Sequence, residues 1–369
     1  MKYSKSVIII IALIGILLIG FFGMNNLSYF SMAQQDDLEE VSEDEEFIFD
    51  IVYQIPMQEE DIEKISELGV NHLTVHLFWA EVEHENDIYD FSIPDKDLEI
   101  YTKYNMPPKA ILINWWDSWR GSPNWLSDYE ETDEEFIAEL EEFAEEAAKH
   151  YDIDYWMIGN EMNPLHWNNP EDDPNYIDLE KVELYKNISA AVKRGDSDAK
   201  VGTRLAFDDL DTDVATWDNF LDAIKYDSDW VGIQVYPVGV GAGPQSNYIL
   251  ASVQKTIEFS SLPVWVTETG ASTCQCLVRR EGGGIINNWQ NCEQGIEECD
   301  QWVNEELQRE YIYSNVFEAY NAGAIGVSVY DYVGDDNGYS LVDEEQYREG
   351  NYKPKLGYEG YQLIISDLS

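Results

Sequence analysis

The chain has 369 residues, with 22 Lys or Arg against 73 Asp or Glu, so its formal charge at pH 7 is −51. This charge argues against binding to nucleic acids, because affinity for their phosphate backbone comes from Lys and Arg. Aromatic residues make up 13% of the chain, whereas wholly disordered acidic chains contain few of them. The dispersed carboxylates predict a strongly hydrated surface and, as a hypothesis, adaptation to a salty medium that screens their repulsion.

The N-terminus predicts export. Lys2 and Lys5 precede an uncharged apolar run over residues 7–24, and an acidic spacer follows over residues 25–46. An apolar run of about 7–15 residues suits a cleaved signal peptide, whereas about 18 or more can span a membrane. Residues 1–24 are therefore either a signal peptide or a membrane anchor. Because positive residues tend to stay in the cytoplasm, we expect the rest of the chain to be extracellular, secreted or anchored to the outer face of the cytoplasmic membrane.

Four cysteines fall within one short segment: Cys274, Cys276, Cys292 and Cys299. A bond between Cys274 and Cys276 would be strained, which leaves two crossed or nested pairings. A four-cysteine zinc site is the alternative, but the outer spacings differ from those of the usual zinc-binding pairs. For an exported chain we expect two disulfide bonds that hold a surface loop.

From residue 47 onward, short β-rich apolar runs alternate with longer helical patterns. The predicted strands are 47–53, 72–78, 109–114, 155–159, 200–204, 230–236, 263–268 and 324–330. The predicted helices lie around 62–68, 95–104, 136–147, 179–194, 220–226, 248–259, 302–320 and 357–365. Eight such units over 47–369 predict a single α/β domain, a closed (β/α)8 TIM barrel with parallel strands buried on both faces. A doubly wound open sheet is the alternative, but no G-x-G-x-x-G follows a strand and no P-loop occurs.

Two of the predicted strands end in a carboxylate. Strand four is followed by Asn160-Glu161, and strand seven ends in Thr267-Glu268. In (β/α)8 barrels the catalytic groups lie at the carboxyl ends of the strands. Among 73 acidic residues one glutamate at a strand end can be a coincidence, but both of these follow an apolar strand and stand beside polar residues. The sequence therefore predicts a pair of carboxylates at the barrel mouth.

These motifs resemble those of the retaining glycoside hydrolases of clan A, a (β/α)8-barrel group that includes cellulases, mannanases, xylanases and β-galactosidases. The similarity rests on Asn160-Glu161 and on the segment Val264–Gly270 at strand seven. Supporting pieces are Trp79, Glu83 and Tyr89–Asp95 after strand two, Val235-Tyr236 at strand six, and Leu341–Asp343 with Lys353-Pro354 after strand eight. The resemblance extends from Phe47 to the C-terminus and does not single out a family within the clan.

The resemblance implies a role for each residue of the two motifs. Glu161 would be the general acid/base and Glu268 the nucleophile, which agrees with the chemistry of double displacement through a glycosyl-enzyme. One carboxyl group must stay protonated while the other is ionised, so their surroundings must separate their pKa values. Asn160 would hydrogen-bond the sugar hydroxyl next to the anomeric carbon, and Tyr236 would hold Glu268 in place.

The chain departs from the clan's pattern at three places. Clan members usually carry an arginine near the end of strand two, beside the nucleophile, but this chain has Thr74 and His76 there. Gln234 stands where strand six often has a histidine, and Tyr330 stands where strand eight often ends in a tryptophan. We expect His76 to take over the orienting role of the missing arginine.

Tryptophans are concentrated after strands three and four, at positions 115, 116, 119, 125 and 167. Aromatic rings stack on the apolar faces of sugars, so we expect at least two of them to bind substrate, although core packing explains any single one. The predicted substrate-binding residues are Asn160, Tyr236, His76, Asn114, Trp115, Trp116, Trp167 and Tyr330. The histidines show no metal-binding spacing, and we predict neither a metal nor a cofactor.

Together these observations predict a secreted or membrane-tethered retaining glycosidase whose partner is a β-linked oligo- or polysaccharide or a β-glycoside. Two alternatives share the barrel: a non-catalytic carbohydrate-binding protein, and a transglycosylase that passes the sugar to another sugar. A surface protein that uses the barrel for protein contacts is a further alternative. The presence of both Glu161 and Glu268 argues against a pure binding protein, which would not need the pair.

Overall fold

The computed structural model describes residues 46–53, 58–115, 121–163, 177–207, 209–210, 215–236, 247–271, 277–279, 285–287, 305–333 and 340–369. The apolar run 7–24, Trp116, Trp119, Trp167 and the four cysteines lie outside these ranges. From Phe47 onward the chain forms one compact unit. Within the ranges given above, no helix combines the length and hydropathy that a membrane crossing requires.

The eight predicted strands are present and pair in parallel. They are β1 (Ile48–Val52), β2 (Val75–Phe78), β3 (Ala110–Asn114), β4 (Tyr155–Ile158), β5 in two segments (Lys200–Gly202 and Arg204–Ala206), β6 (Val231–Gln234), β7 (Val264–Thr269) and β8 (Gly326–Tyr330). The predicted strand positions are confirmed, with shifts of a few residues at some ends.

A helix follows each strand. These helices are α1 (Glu59–Glu67), α2 (Ser92–Lys103), α3 (Glu134–His150), α4 (Leu179–Gly195), α5 (Trp217–Ile224), α6 (Tyr248–Ser260), α7 (Glu305–Asn321) and α8 (Leu356–Leu368). Shorter elements are the helices Trp79–Val82, Asn124–Leu126 and Glu344–Arg348 and the hairpins Glu83–Glu85 with Ile88–Tyr89 and Leu277–Arg279 with Ile285–Asn287. The alternation of strands and helices confirms the predicted α/β class.

The strands form two arcs that meet at β5. One arc runs β1–β8–β7–β6–β5 and the other runs β2–β3–β4–β5, because the first segment of β5 pairs with β4 and the second with β6. Asn71 joins the other two ends, since its amide donates to the carbonyl of Phe49 at 3.2 Å and its Oδ1 accepts from the Phe49 amide at 2.9 Å. The strand order is that of a (β/α)8 barrel.

Alternation along the strands separates an outer core from an inner one. The outer core packs the helices on the barrel; in α3, for example, the buried residues Phe136, Leu140 and Phe143 recur at helical spacing. The inner core comprises Ile48, Ala110, Leu112, Tyr155, Met157, Trp230 and Trp265. A Cβ at Gly202 would lie 2.5 Å from Cε2 of Trp230, so this glycine leaves room for the indole. Filling the base in this way leaves the carboxyl ends of the strands as the open mouth.

Candidate active site

Glu161 lies in a tight turn directly after β4. Gly159 has φ +74° and Glu161 has φ +47°, so both adopt the left-handed region. A Cβ at Gly159 would lie 2.2 Å from Sδ of Met162, which explains why glycine stands there. A left-handed conformation is unfavourable for glutamate and persists only where surrounding contacts hold it. The turn therefore uses local strain to place the Glu161 carboxyl group at the mouth.

Asn163 locks this turn to β5. Its Oδ1 accepts from the Ala206 amide at 2.8 Å, and its Nδ2 donates to the Ala206 carbonyl at 2.9 Å and to Oγ1 of Thr216 at 3.0 Å. The Met162 amide also donates to the carbonyl of Arg204 at 3.2 Å. Asn163 is 1% exposed, so these bonds are shielded from water and fix the Glu161 backbone relative to strand five.

Three donors hold the carboxylate of Glu268 at the end of β7. A register shift after Val266 places Glu268 opposite Gln234 of β6. Oε2 accepts from Nη2 of Arg204 at 2.8 Å and from Nε2 of Gln234 at 2.9 Å. Oε1 accepts from the hydroxyl of Tyr236, which is the contact that the resemblance implied. Both oxygens are thus engaged, and the orientation of the carboxylate is fixed.

Arg204 is the residue of this site that the sequence analysis missed. It stands at the start of the second segment of β5, its side chain is 6% exposed, and its Nη2 also donates to the Thr267 carbonyl at 3.0 Å. Strand five therefore supplies the arginine that the clan usually carries on strand two. No motif marks this position; the signal was only an arginine within an otherwise apolar strand.

His76 does not take the place of that arginine. It makes no hydrogen bond to Glu268, and its ring lies 5.4 Å from the ring of Tyr53 and 6.0 Å from that of Phe78. Burial, together with the charge of Arg204, lowers the pKa of His76 to about 4. A neutral imidazole cannot supply the positive charge that the expected role requires, so the orienting cation is Arg204.

Gln234 connects the two halves of the site. Its Nε2 donates to Oδ1 of Asn160 at 2.7 Å as well as to Glu268. The carboxamide of Gln234 therefore fixes the distance between the Asn160 side chain and the Glu268 carboxylate. Its own Oε1 is buried and has no hydrogen-bond partner, which leaves an acceptor directed to none of the described residues.

The two carboxyl groups differ in their electrostatics. Desolvation at the mouth raises the pKa of Glu161, and the negative charge of Glu268 raises it further. Arg204 and Lys181 oppose this increase by attraction to the ionised form. The effect of Glu268 means that the two groups act on each other across the mouth, and it makes Glu161 harder to ionise than an isolated glutamate.

The remaining predicted binding residues have different surroundings. Asn114 ends β3 with a buried Oδ1 that has no partner within the described ranges, and Tyr330 at the end of β8 packs edge-on against Tyr236 at 6.3 Å. Trp115 is 4% exposed and belongs to the outer core, where its ring supports the turn at Gly159. The expectation that Trp115 stacks on a sugar is therefore wrong, because the ring has no free face. Trp116 and Trp167 lie outside the described residues.

One group in the described part of the chain has donor atoms close enough to hold a metal ion: Glu83, Asp87 and Glu139. Both carboxylate oxygens of Glu83 already accept hydrogen bonds, from Nε1 of Trp79 at 2.7 Å and from the Asp87 amide at 2.9 Å. These bonds explain the group as a support for the hairpin after β2. It includes neither of the two carboxylates at the mouth.

Comparison with known proteins gives fold-level similarity. No protein-family model and no curated protein sequence matches the chain. The β-glycosidase BGL167 superposes with a TM-score of 0.61 at 17% identity, over 84% of this chain and 86% of that one. A β-glucosidase from Thermotoga maritima in complex with azafagomine gives 0.59 at 13% identity, over 84% and 85%.

A third similar structure is a variant of the GH5_18 protein from Bifidobacterium longum subsp. longum in complex with Manβ1-4GlcNAc. It superposes with a TM-score of 0.59 at 14% identity, over 84% of this chain and 72% of that one. The chain therefore has the barrel fold of the clan A glycoside hydrolases.

Proposed function

We propose that the chain is a retaining glycosidase that cleaves the O-glycosidic bonds of a β-linked oligo- or polysaccharide. The observation that carries this proposal is the contrast between two carboxyl groups at one barrel mouth. Glu268 is held by Arg204, Gln234 and Tyr236, whereas desolvation and the charge of Glu268 raise the pKa of Glu161. A fixed carboxylate beside a carboxylic acid is the pair that double displacement requires.

In the first step Glu161 donates its proton to the leaving oxygen while a carboxylate oxygen of Glu268 attacks the anomeric carbon. The bond to the leaving group breaks, and an ester joins the sugar to Glu268. The three donors around Glu268 hold the carboxylate in one orientation before attack, which reduces the entropy lost on reaching the transition state. In the second step Glu161 accepts a proton from the water that attacks the same carbon, and Glu268 is released as a carboxylate.

The β-linkage of the substrate is supported by the similar proteins, which include a β-glycosidase, a β-glucosidase and a protein bound to Manβ1-4GlcNAc. Within the site, Asn160 is oriented by Gln234 and can donate through its Nδ2 to a sugar hydroxyl. The free acceptor oxygens of Asn114 and Gln234 suit further hydroxyl groups. These donors and acceptors at the end of an apolar barrel match the chemistry of a sugar ring.

The test compares two isosteric variants on the 2,4-dinitrophenyl β-glycosides of glucose, mannose and galactose. We expect Glu268→Gln to abolish hydrolysis, because no nucleophile remains. We expect Glu161→Gln to release dinitrophenolate in the first turnover at the wild-type rate, because this leaving group needs no proton. On an unactivated glycoside the same variant should be about 10²–10⁴-fold slower than the wild type.

Rapid-mixing absorbance measurements give both rates. Equal residual first-turnover rates for the two variants would contradict the assigned roles. A wild type that binds oligosaccharides but hydrolyses none would favour the carbohydrate-binding alternative. Transfer of the sugar mainly to added sugar acceptors rather than to water would identify a transglycosylase.

A further inference from the structure

A small cavity lies inside the barrel, below the mouth. Its polar lining comes from five strands or their ends: Asp50, Thr74, His76, Arg204, Thr267 and Ser328. Its volume of about 10 Å³ corresponds to one water molecule, provided that polar groups are available to bind it. The cavity therefore contacts both the residue before Glu268 in β7 and the arginine that holds Glu268.

Two polar atoms of the lining residues are buried without a partner in the described part of the chain. They are Nε of Arg204 and Oγ1 of Thr267, in residues that are 5% and 1% exposed. A guanidinium Nε–H can only donate, whereas a threonine hydroxyl can donate or accept. Buried polar atoms in folded proteins are almost always hydrogen-bonded, and internal water is a common partner. One water molecule can accept from Arg204 and donate to Thr267.

Asp50 contributes a buried carboxylate to the same cavity. Its Oδ2 accepts from Oγ1 of Thr74 and Oγ of Ser328, each at 2.8 Å, and its Oδ1 accepts from the Thr74 amide at 3.3 Å. These donors are all neutral. Among the residues that line the cavity, Arg204 is the permanent cation, since the pKa of His76 is lowered to about 4. A buried anion and a buried cation thus share one space that fits a single water.

We propose that a water molecule in this cavity joins Arg204 to Asp50, and that Asp50 is thereby a positioning residue for the nucleophile as the second anion of Arg204. The role rests on the proposed function. When the Glu268 carboxylate forms an ester with the anomeric carbon, it loses its negative charge, while Arg204 stays buried and positive. Asp50 then remains as its counter-ion, which stabilises the glycosyl-enzyme and the transition state that leads to it.

Substitution of Asp50 should change the amount of glycosyl-enzyme at steady state in the opposite direction from substitution of Glu161. Replacing Asp50 by the isosteric asparagine leaves Arg204 without a second anion. We therefore expect Asp50→Asn to slow the first step about tenfold and to lower the fraction of enzyme that carries the sugar at steady state. Glu161→Gln has the opposite signature, with an unchanged first step on an activated glycoside and an accumulated glycosyl-enzyme.

Two further variants separate this role from a loss of folding. Asp61→Asn is the matched control, because Asp61 is also 2% exposed and accepts hydrogen bonds, from the hydroxyl of Tyr347 and the amide of Gln58. It should leave the first step unchanged. Thr267→Val removes one partner of the water but keeps the carbonyl that Arg204 contacts, so it should slow the first step by a smaller factor than Asp50→Asn.

The experiment is rapid mixing of each variant with the dinitrophenyl β-glycoside that the wild type hydrolyses fastest, with intact-protein mass spectrometry of the quenched samples. A crystal structure of the wild type at high resolution accompanies it. A water within hydrogen-bond distance of Nε of Arg204 and a slower first step in Asp50→Asn and Thr267→Val support the proposal. An empty cavity, or a first step unchanged in Thr267→Val and in folded Asp50→Asn, overturns it. A wild type that hydrolyses none of the glycosides contradicts the proposed function, and with it this role.

Discussion

The base and the mouth of the barrel interior differ in whether their buried polar atoms have hydrogen-bond partners. At the base, Nε2 of His72 lies 3.2 Å from Oγ1 of Thr74, which donates to Asp50, and Nε1 of Trp265 donates to Ser328 at 3.2 Å. Ser328 in turn donates to Asp50. Every side-chain polar atom in this network has a partner. Burial lowers the pKa of His72 to about 3, so the network contains a neutral imidazole.

At the mouth, several buried polar atoms have no partner among the described residues. These include Oδ1 of Asn114 and Oε1 of Gln234. A buried polar atom without a partner reduces the stability of the folded chain, so such atoms are rare unless a ligand or a water binds them. The contrast teaches that the base is arranged for stability, whereas the mouth keeps hydrogen-bonding capacity for molecules that enter it.

Among the substitutions that test this contrast, removing the positive charge of Arg204 from the mouth should have the largest effect. In Arg204→Met the Glu268 carboxylate loses its ion pair and one of its three donors, so it is held less firmly and its charge is no longer balanced. We expect kcat/KM to fall about 10²–10³-fold. Arg194→Met is the matched control, because Arg194 is exposed and pairs with Glu141 and Glu145 on the outside of the barrel. Steady-state kinetics of both variants check the prediction, and full activity in Arg204→Met would contradict it.

At the base, Asp50 should affect stability in a pH-dependent way. Burial raises its pKa from 3.8 to about 6 in the folded chain, so ionisation of this group disfavours folding. Ionisation of this group therefore costs the wild type about 2 kcal/mol of stability as the pH rises from about 4 to about 6, a loss that Asp50→Asn does not share. Urea unfolding of both proteins at the two pH values measures this difference.

Ser328→Ala provides a second test of the pH-dependent stability that we assign to Asp50. The hydroxyl of Ser328 lowers the pKa of Asp50 by donating to the carboxylate. Without it the pKa of Asp50 rises further, so the loss of stability with increasing pH becomes larger and extends to higher pH. A stability difference between wild type and Asp50→Asn that stays constant from about pH 4 to about 7 would contradict a buried, ionisable Asp50.

The smallest expected effect concerns the pH dependence of activity. Lys181 lowers the pKa of Glu161 by attraction to its ionised form. In Lys181→Gln this pKa rises, so Glu161 stays protonated to higher pH and the alkaline limb of kcat/KM on an unactivated glycoside shifts upward by about a few tenths of a unit. Lys186→Gln on the same helix, where Lys186 faces Asp227, is the control. A shift to lower pH in Lys181→Gln would show that Glu161 does not set that limb.

Local sequence patterns were sufficient to predict the fold. Apolar runs of strand length and helical spacing depend on residues close together in the chain, and the eight strands lie where these patterns placed them. The positions of Glu161 and Glu268 followed from the rule that barrel sites lie at the carboxyl ends of strands. Export and the disulfide bonds stay predictions, because the residues that carry them lie outside the described ranges.

The contacts between strands could not be predicted in the same way. Arg204 reaches Glu268 across 64 positions of the chain, and Gln234 reaches Asn160 across 74, so no local pattern marks either pair. In the sequence, Asp50 is only a polar residue within an apolar strand. The structure adds that Thr74 and Ser328 donate hydrogen bonds to it. For Trp115 the local pattern was misleading. Its position after a strand indicated a substrate-binding loop, but the ring packs against Gly159 and is buried.

The most direct measurement is the site of sugar attachment in Glu161→Gln, the variant that should accumulate the glycosyl-enzyme. The variant is mixed with the dinitrophenyl β-glycoside, quenched in acid, digested and sequenced by tandem mass spectrometry. The account predicts one sugar per chain, in ester linkage to the side chain at position 268. A sugar attached elsewhere, or no covalent sugar despite release of dinitrophenolate, would contradict it.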